Sequence, residues 1–206
     1  MCAYEPKGRS IWQVLREGDE LFARTGAVFE SLRRLARRLE DEGIPYALIG
    51  GMALILHGYE RFTKDVDIVT TREGLAAFHA KCVGRGYVPA FPGAQKTFRD
   101  AASNIRIEIL TTGEYPGDGK PKPVAFPDPS LASIERDGIR IIQLERLLEL
   151  KLASGLSAPH RLRDLADVQD LIVALSLPLD LADQLDASVR DEYRRLWRSS
   201  ARGASS

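Results

Sequence analysis

Apolar residues recur at helical spacing at Leu15, Phe22, Phe29, Leu32, Leu35 and Leu39. This predicts helix over about residues 11–42, with Gly18 and Gly26 as interruptions and Gly43 as the stop. The short apolar run at 46–49 then meets Gly50-Gly51 and a second apolar run to Leu56, which reads as strand, tight turn and helix. Residues 65–69 (Asp-Val-Asp-Ile-Val) alternate like a strand, 73–82 like a helix, and 87–91, 96–99 and 104–110 like further strands. Residues 112–133 hold Gly113, Pro116, Gly117, Gly119, Pro121, Pro123, Pro127 and Pro129, a composition that blocks regular elements. That segment is expected to be a loop, with a short edge strand at 124–126; it reads as a plain connection between sheet and helices ahead of a lid over a site. Helical patterns return at 143–154, 161–175 and 179–197, with a frayed end after Arg198.

Strands interspersed with helices and followed by a run of helices predict an α+β fold, a mixed sheet flanked by helices with a C-terminal helical lobe. We place the core at 1–140, with the N-terminal helix, and the lobe at 141–200. At 206 residues the chain can bury a core without staples. Cys2 and Cys82 are the only cysteines, so neither a disulfide framework nor a four-thiolate zinc site can be written within one chain. No apolar run approaches the roughly 18 residues of a membrane helix, and the first twelve residues lack the apolar core of a signal peptide. A cytoplasmic protein with no membrane partner is expected. Twenty-nine basic residues balance twenty-nine acidic ones, which argues against coating nucleic acid by bulk charge. Local basic faces remain, at Arg33, Arg34, Arg37 and Arg38 and at Arg190, Arg194, Arg195, Arg198 and Arg202; each reads as an RNA grip or as a solvated helix face.

The carboxylates carry the chemistry. Asp65 and Asp67 stand two apart on a strand, so both side chains leave one face while Val66 and Ile68 enter the other. Two neighbouring carboxylates repel, and a cation between them relieves the repulsion; hard oxygen donors suit Mg²⁺ or Mn²⁺. On the later strand Ile105, Ile107 and Ile109 take one face and leave Arg106 and Glu108 on the other, so Glu108 is a candidate third ligand or a solvent-facing glutamate. Gly50-Gly51, between strand and helix, is a candidate anion cradle for phosphate.

In the lobe, Leu144, Leu147, Leu148, Leu150 and Leu152 share an arc with Lys151 in its middle. A lysine there must snorkel, find a carboxylate or meet an anion. Asp164 breaks the apolar arc of the next helix in the same way, beside Val168, Leu171 and Leu175. Lys151 and Asp164 either pair with each other or face a polar cleft. Arg163, Asp167 and Asp170 fall on the other side and read as solvated.

The run from Leu48 to Gly58 (Leu-Ile-Gly-Gly-Met-Ala-Leu-Ile-Leu-His-Gly), followed by Arg61-Phe-Thr-Lys-Asp-Val-Asp-Ile-Val, resembles the signature of the DNA polymerase β-like nucleotidyltransferases. Within that superfamily it is similar to the AbiEii-like group, which includes toxins of abortive-infection and toxin-antitoxin systems. Leu150-Lys-Leu-Ala and Arg163-Asp-Leu-Ala-Asp-Val resemble that group's second block, so the likeness spans roughly 48–175. The resemblance implies a polymerase-β-like fold and transfer of a nucleoside monophosphate from a nucleoside triphosphate to an acceptor hydroxyl. It implies Asp65, Asp67 and Glu108 at Mg²⁺ or Mn²⁺, and Gly50, Gly51, Arg61, Thr63 and Lys151 at the nucleotide. Asp164 would support or activate at the site, and Glu108 would also take the acceptor proton. His57 matches a helix-end position and reads as structural. Glu108 stands where the superfamily usually has a third Asp. Acceptors in view are a tRNA end, another nucleotide, a small molecule such as an aminoglycoside, or a protein hydroxyl, and a cognate antitoxin is an implied partner. The rival is a noncatalytic nucleotide- or RNA-binding module of the same fold.

Overall fold

The computed structural model describes residues 23–59 and 61–203. In chain order the elements are α1 (Ala23–Asp41), β1 (Tyr46–Ile49), α2 (Gly50–Leu56), β2 (Asp65–Thr70), α3 (Arg72–Lys81), β3 (Tyr87–Pro89), β4 (Thr97–Asp100) and β5 (Arg106–Thr111). They continue with α4 (Pro129–Ala132), β6 (Ser133–Arg136), β7 (Ile139–Ile142), α5 (Leu144–Ser157), α6 (Leu162–Ala174) and α7 (Arg190–Gly203), with 3₁₀ turns at Pro159–Arg161 and Leu179–Gln184. The strands form one sheet in the order β3-β4-β5-β2-β1-β7-β6. β1 runs antiparallel to β2, while β2–β5 and β1–β7 are parallel pairs, so the sheet is mixed and the expected α+β class is the one observed.

The central strands read as they do because both faces are covered. Every residue of β1 is buried, and β2 and β5 send Val66, Ile68, Ile107 and Ile109 into the core. α1 lays the stripe Val28, Leu32, Leu35, Leu39 onto the sheet beside β2 and β7. It runs straight through Gly26, which is not an interruption: a lone glycine costs a helix only about 1 kcal/mol, and the buried stripe that follows from Val28 outweighs that. The positions of Leu15, Gly18 and Phe22 lie outside the described residues. Arg33, Arg34 and Arg38 are committed to structure: Arg33 meets Glu30, Arg34 grips buried Asp100 at 2.5 Å, and Arg38 meets Glu42.

Two expectations are corrected in the second half. The segment 124–126 is not a strand, although Phe126 exchanges backbone hydrogen bonds with Gly113 and Glu114. The helical stretch expected over 179–197 is a 3₁₀ turn, a break, and then α7, which continues past Arg198 to Gly203. Tyr59 ties the lobe to the core, donating to Asp170 at 2.6 Å. Within the lobe, Glu149, buried on α5, meets Arg146 and accepts from the Asp186 amide.

Candidate active site

The carboxylate face of the sheet and the inner face of α5 enclose a cavity of about 440 Å³. Register assembles its floor. β1 pairs with β2 so that Ile49, the last strand residue before the Gly50-Gly51 turn, lies opposite Asp67. On the other side β5 sets Asp65 against Arg106 and Asp67 against Glu108. The two-residue period then turns Asp65, Asp67, Glu108 and Leu110 to the cavity and Val66, Ile68, Ile107 and Ile109 to the core.

Gly50 has φ +64°, the left-handed region that glycine enters without steric cost, and a side chain there would overlap the Asp67 carboxylate. A Cβ on Gly51 would lie 2.8 Å from Thr63 Oγ1. Both glycines are therefore present because side chains of the site occupy the space beside them. Thr63 is buried, and its hydroxyl donates to Asp65 Oδ1 at 3.2 Å, holding that carboxylate in place. α2 is only seven residues long, so the Gly50-Gly51 amides at the cavity wall, rather than a helix dipole, are what the turn offers an anion.

Asp67 is the electrostatic centre. Burial, and then the charges of Asp65 and Glu108, push its carboxyl up to about 7, against the weaker pull of Lys151 and Arg106. An anionic pair held this way is short of positive charge, and the oxygen donors fit a hard divalent cation. Glu108 is a partial fit: its carboxylate accepts from Arg106 Nη2 at 2.7 Å. Among the described residues no three His, Cys, Asp or Glu side chains converge into a ready cage, and Glu108 already spends Oε2 on Arg106.

The opposite wall comes from the lobe. Lys151 Nζ donates to Asp164 Oδ1 at 2.8 Å and to Asp167 Oδ2 at 2.7 Å, and Arg61 Nη1 reaches Asp167 Oδ1 at 2.5 Å. Asp164 also accepts from Ser154 Oγ at 2.7 Å and pairs with Arg161. Burial would raise Asp164, but Lys151, Ser154 and Arg161 outweigh it and hold the carboxyl below its usual range. Lys151 therefore does both things its place on the apolar arc allowed: it pairs with Asp164, and it lines the cavity. Asp167 is a correction. Far from being solvated, its side chain is 6% exposed and uses both oxygens. The signal was the Asp164-x-x-Asp167 spacing, since residues three apart share a helix face.

The Pro/Gly segment closes one end with Tyr115, Pro116, Gly117 and Gly119. Gly117 packs directly on α5, where a Cβ would lie 3.0 Å from the Ser154 backbone. The Asp118 amide donates to Ser157 Oγ at 3.2 Å, and Lys122 Nζ ties Pro116 O and Asp118 together. This is a fastened wall. Leu110, Phe126, Leu147 and Leu150 make an apolar patch beside it. His57 is structural, as expected: it caps α2, is buried, and bonds Ile142 O through Nε2 at 2.8 Å. The C-terminal basic face is largely spoken for, with Arg194 on Asp183, Arg195 on Glu192 and Arg190 on Leu185 O. No described helix is long and apolar enough to cross a membrane.

No protein-family model matches the chain, and no curated protein matches it by sequence. Solved structures do. A Thermotoga maritima protein provisionally assigned as a nucleotidyltransferase is 20% identical over 68% of this chain and 92% of its own, with a TM-score of 0.50. JHP933 from Helicobacter pylori is 19% identical over 86% of this chain and 93% of its own, with a TM-score of 0.46. ANT(2")-Ia in complex with adenylyl-2"-tobramycin is 14% identical over 85% and 98%, with a TM-score of 0.49. At such identities the likeness is one of fold, and the Thermotoga match gives this chain the mixed α+β fold of a nucleotidyltransferase-like protein.

Proposed function

We propose that the chain is a metal-dependent nucleotidyltransferase. One observation carries the reading: Asp65 and Asp67 emerge side by side on the cavity floor against the Gly50-Gly51 turn, and Lys151 faces them from the opposite wall. A noncatalytic anion site has no use for three carboxylates beside its phosphate cradle, because they repel the ligand unless a cation comes with it. Bound at Asp65 and Asp67, with Glu108 as third ligand, Mg²⁺ or Mn²⁺ would activate the attacking oxygen and neutralise charge on the phosphates.

The chain's own residues do the rest. The Gly50 and Gly51 amides hold the polyphosphate, and Arg61 and Lys151 supply positive charge on the lobe side. An acceptor hydroxyl oxygen forms the new bond to the α-phosphorus, the bond from that phosphorus to the bridging oxygen breaks, and pyrophosphate leaves. Glu108, opposite Asp67 in the strand pair, takes the acceptor proton once it is released from Arg106. Asp164, itself in the cavity wall, holds Lys151 in place.

The finer assignment rests on the sequence likeness: an AbiEii-like, toxin-type enzyme whose acceptor is a tRNA end or a nucleotide, with an antitoxin as partner. The pairing of the α7 arginines weakens the case for an RNA grip there, so a small-molecule hydroxyl is the second acceptor class. The test is to incubate the protein with each α-labelled nucleoside triphosphate and Mg²⁺, with total tRNA, cell extract or an aminoglycoside as acceptor, beside Asp67→Ala. Transfer of label that disappears in the variant supports the reading. Triphosphate binding without pyrophosphate release in any arm supports a noncatalytic module instead.

A further inference from the structure

Asp167 belongs to no role assigned so far. It lies outside the cavity lining, is buried, and has both carboxylate oxygens engaged. Its two partners come from different parts of the chain: Arg61 from the segment leading into β2, and Lys151 from the middle of α5. Both partners line the cavity. Lys151 gives two of its three N–H bonds to Asp164 and Asp167, so a single donor direction is left for a ligand. A flexible four-carbon side chain is otherwise free to wander over several ångströms, and fixing two of its hydrogen bonds removes that freedom.

We infer that Asp167 is a positioning residue: by holding Arg61 and Lys151 at once it aims both cations at the polyphosphate and sets the lobe's wall against the carboxylate floor. The inference rests on the proposed nucleotidyl-transfer reading. Charge and placement act in opposite senses here, which gives the role a signature. Removing the Asp167 charge leaves the cavity more positive, so a triphosphate still binds. Losing the anchor lets the two cations drift, and displacement of about 1 Å can lower a rate on the order of 100-fold.

The experiment uses the full chain with Mg²⁺. It measures kcat and KM for the triphosphate together with the Kd of an α,β-methylene triphosphate analogue. The variants are Asp167→Asn, Asp167→Glu, and Asp170→Asn as control. Asp170 sits on the same helix and ties the lobe through Tyr59 without touching either cation. We expect Asp167→Asn to lower kcat by about 30- to 100-fold with the analogue Kd unchanged or tighter. Asp167→Glu, which keeps the charge but shifts it by one methylene, should retain the fold and still lower kcat, and Asp170→Asn should leave both values near wild type. A kcat within twofold of wild type in both Asp167 variants overturns the inference, as does an equal loss in Asp170→Asn. If Asp167→Asn fails to fold, Asp167→Glu decides by the same criterion. A wild type that neither binds nor turns over any triphosphate sinks the nucleotidyl-transfer reading, and Asp167's proposed role with it. Wild-type turnover with indifferent Asp167 variants sinks only the role.

Discussion

Gly50→Ala probes whether the turn and the carboxylate are built for each other. Gly50 sits at φ +64°, and an added Cβ would overlap Asp67 Oδ2, lie 2.9 Å from its Cγ and 3.0 Å from its Cβ. Holding an alanine in the left-handed region costs roughly 1–2 kcal/mol, and turning Asp67 off its rotamer costs roughly 0.5–1.5 kcal/mol more. The sum, about 1.5–3.5 kcal/mol, corresponds to a fall in Tm of about 3–14 °C for a chain of this size. Gly84 supplies the reference: its φ is +77°, and a Cβ there meets nothing within 4 Å, so Gly84→Ala carries the backbone cost alone. Thermal unfolding followed by circular dichroism should therefore show Gly50→Ala less stable than Gly84→Ala. The excess should shrink in an Asp67→Ala background, where the two nearest atoms are gone, and Gly50→Ala should also lose turnover. Equal melting points for the two alanine variants, or an excess that survives removal of the Asp67 carboxylate, would refute the packing argument.

Other variants test separate parts of the account. Lys151→Met leaves Asp164 and Asp167 without their ammonium; breaking a buried pair in this way costs about 3–5 kcal/mol, to be read as a drop in the urea midpoint that Asp164→Asn partly restores. Gly117→Val drives a side chain into the Ser154 backbone, so the 113–128 segment should detach from α5 and become cleavable by added protease while α1 and the sheet stay protected. His57 titrates at about 4 because burial disfavours its charged form, with Arg136 adding to that and the Ile142 carbonyl opposing it. Its folded pKa lies below the ordinary value, so the unfolded chain binds the proton first. The stability is whole above about pH 6.5 and declines by up to about 3 kcal/mol toward pH 4. The wild-type Tm should fall over that interval relative to His57→Gln, and parallel curves would contradict it.

Much of the centre was legible because local pattern and tertiary role coincide there. Residues 46–70 read as strand, glycine turn, helix and carboxylate strand, and the structure places all four so. The two-residue period put Asp65, Asp67 and Glu108 on one face, and pairing of β2 with β5 brings them to one floor. The likeness to the AbiEii-like group pointed to Arg61, Thr63, Lys151 and Asp164, and all four line the same cavity. What escaped was set by contacts the pattern does not encode. The β6–β7 hairpin was missed although Asp137-Gly138, both at positive φ, is a type I′ turn dipeptide, because β6, a half-buried edge strand, lacks a clean alternation. Asp167 was misplaced because its partner Arg61 lies 106 residues away, and no helical wheel shows a partner on another element. Glu108's attachment to Arg106 is a same-face i, i+2 contact that strand geometry permits but does not announce.

The central claim is that Asp65 and Asp67 hold a divalent cation together with a polyphosphate, and a Mn²⁺ titration tests it most directly. Binding of Mn²⁺, followed by electron paramagnetic resonance, would be compared with and without an α,β-methylene nucleoside triphosphate in wild type, Asp65→Asn and Asp67→Asn. The account predicts tight Mn²⁺ binding to wild type that strengthens with the nucleotide and is lost in both variants. Wild-type binding indifferent to nucleotide, or binding retained when Asp67 is amidated, would contradict it.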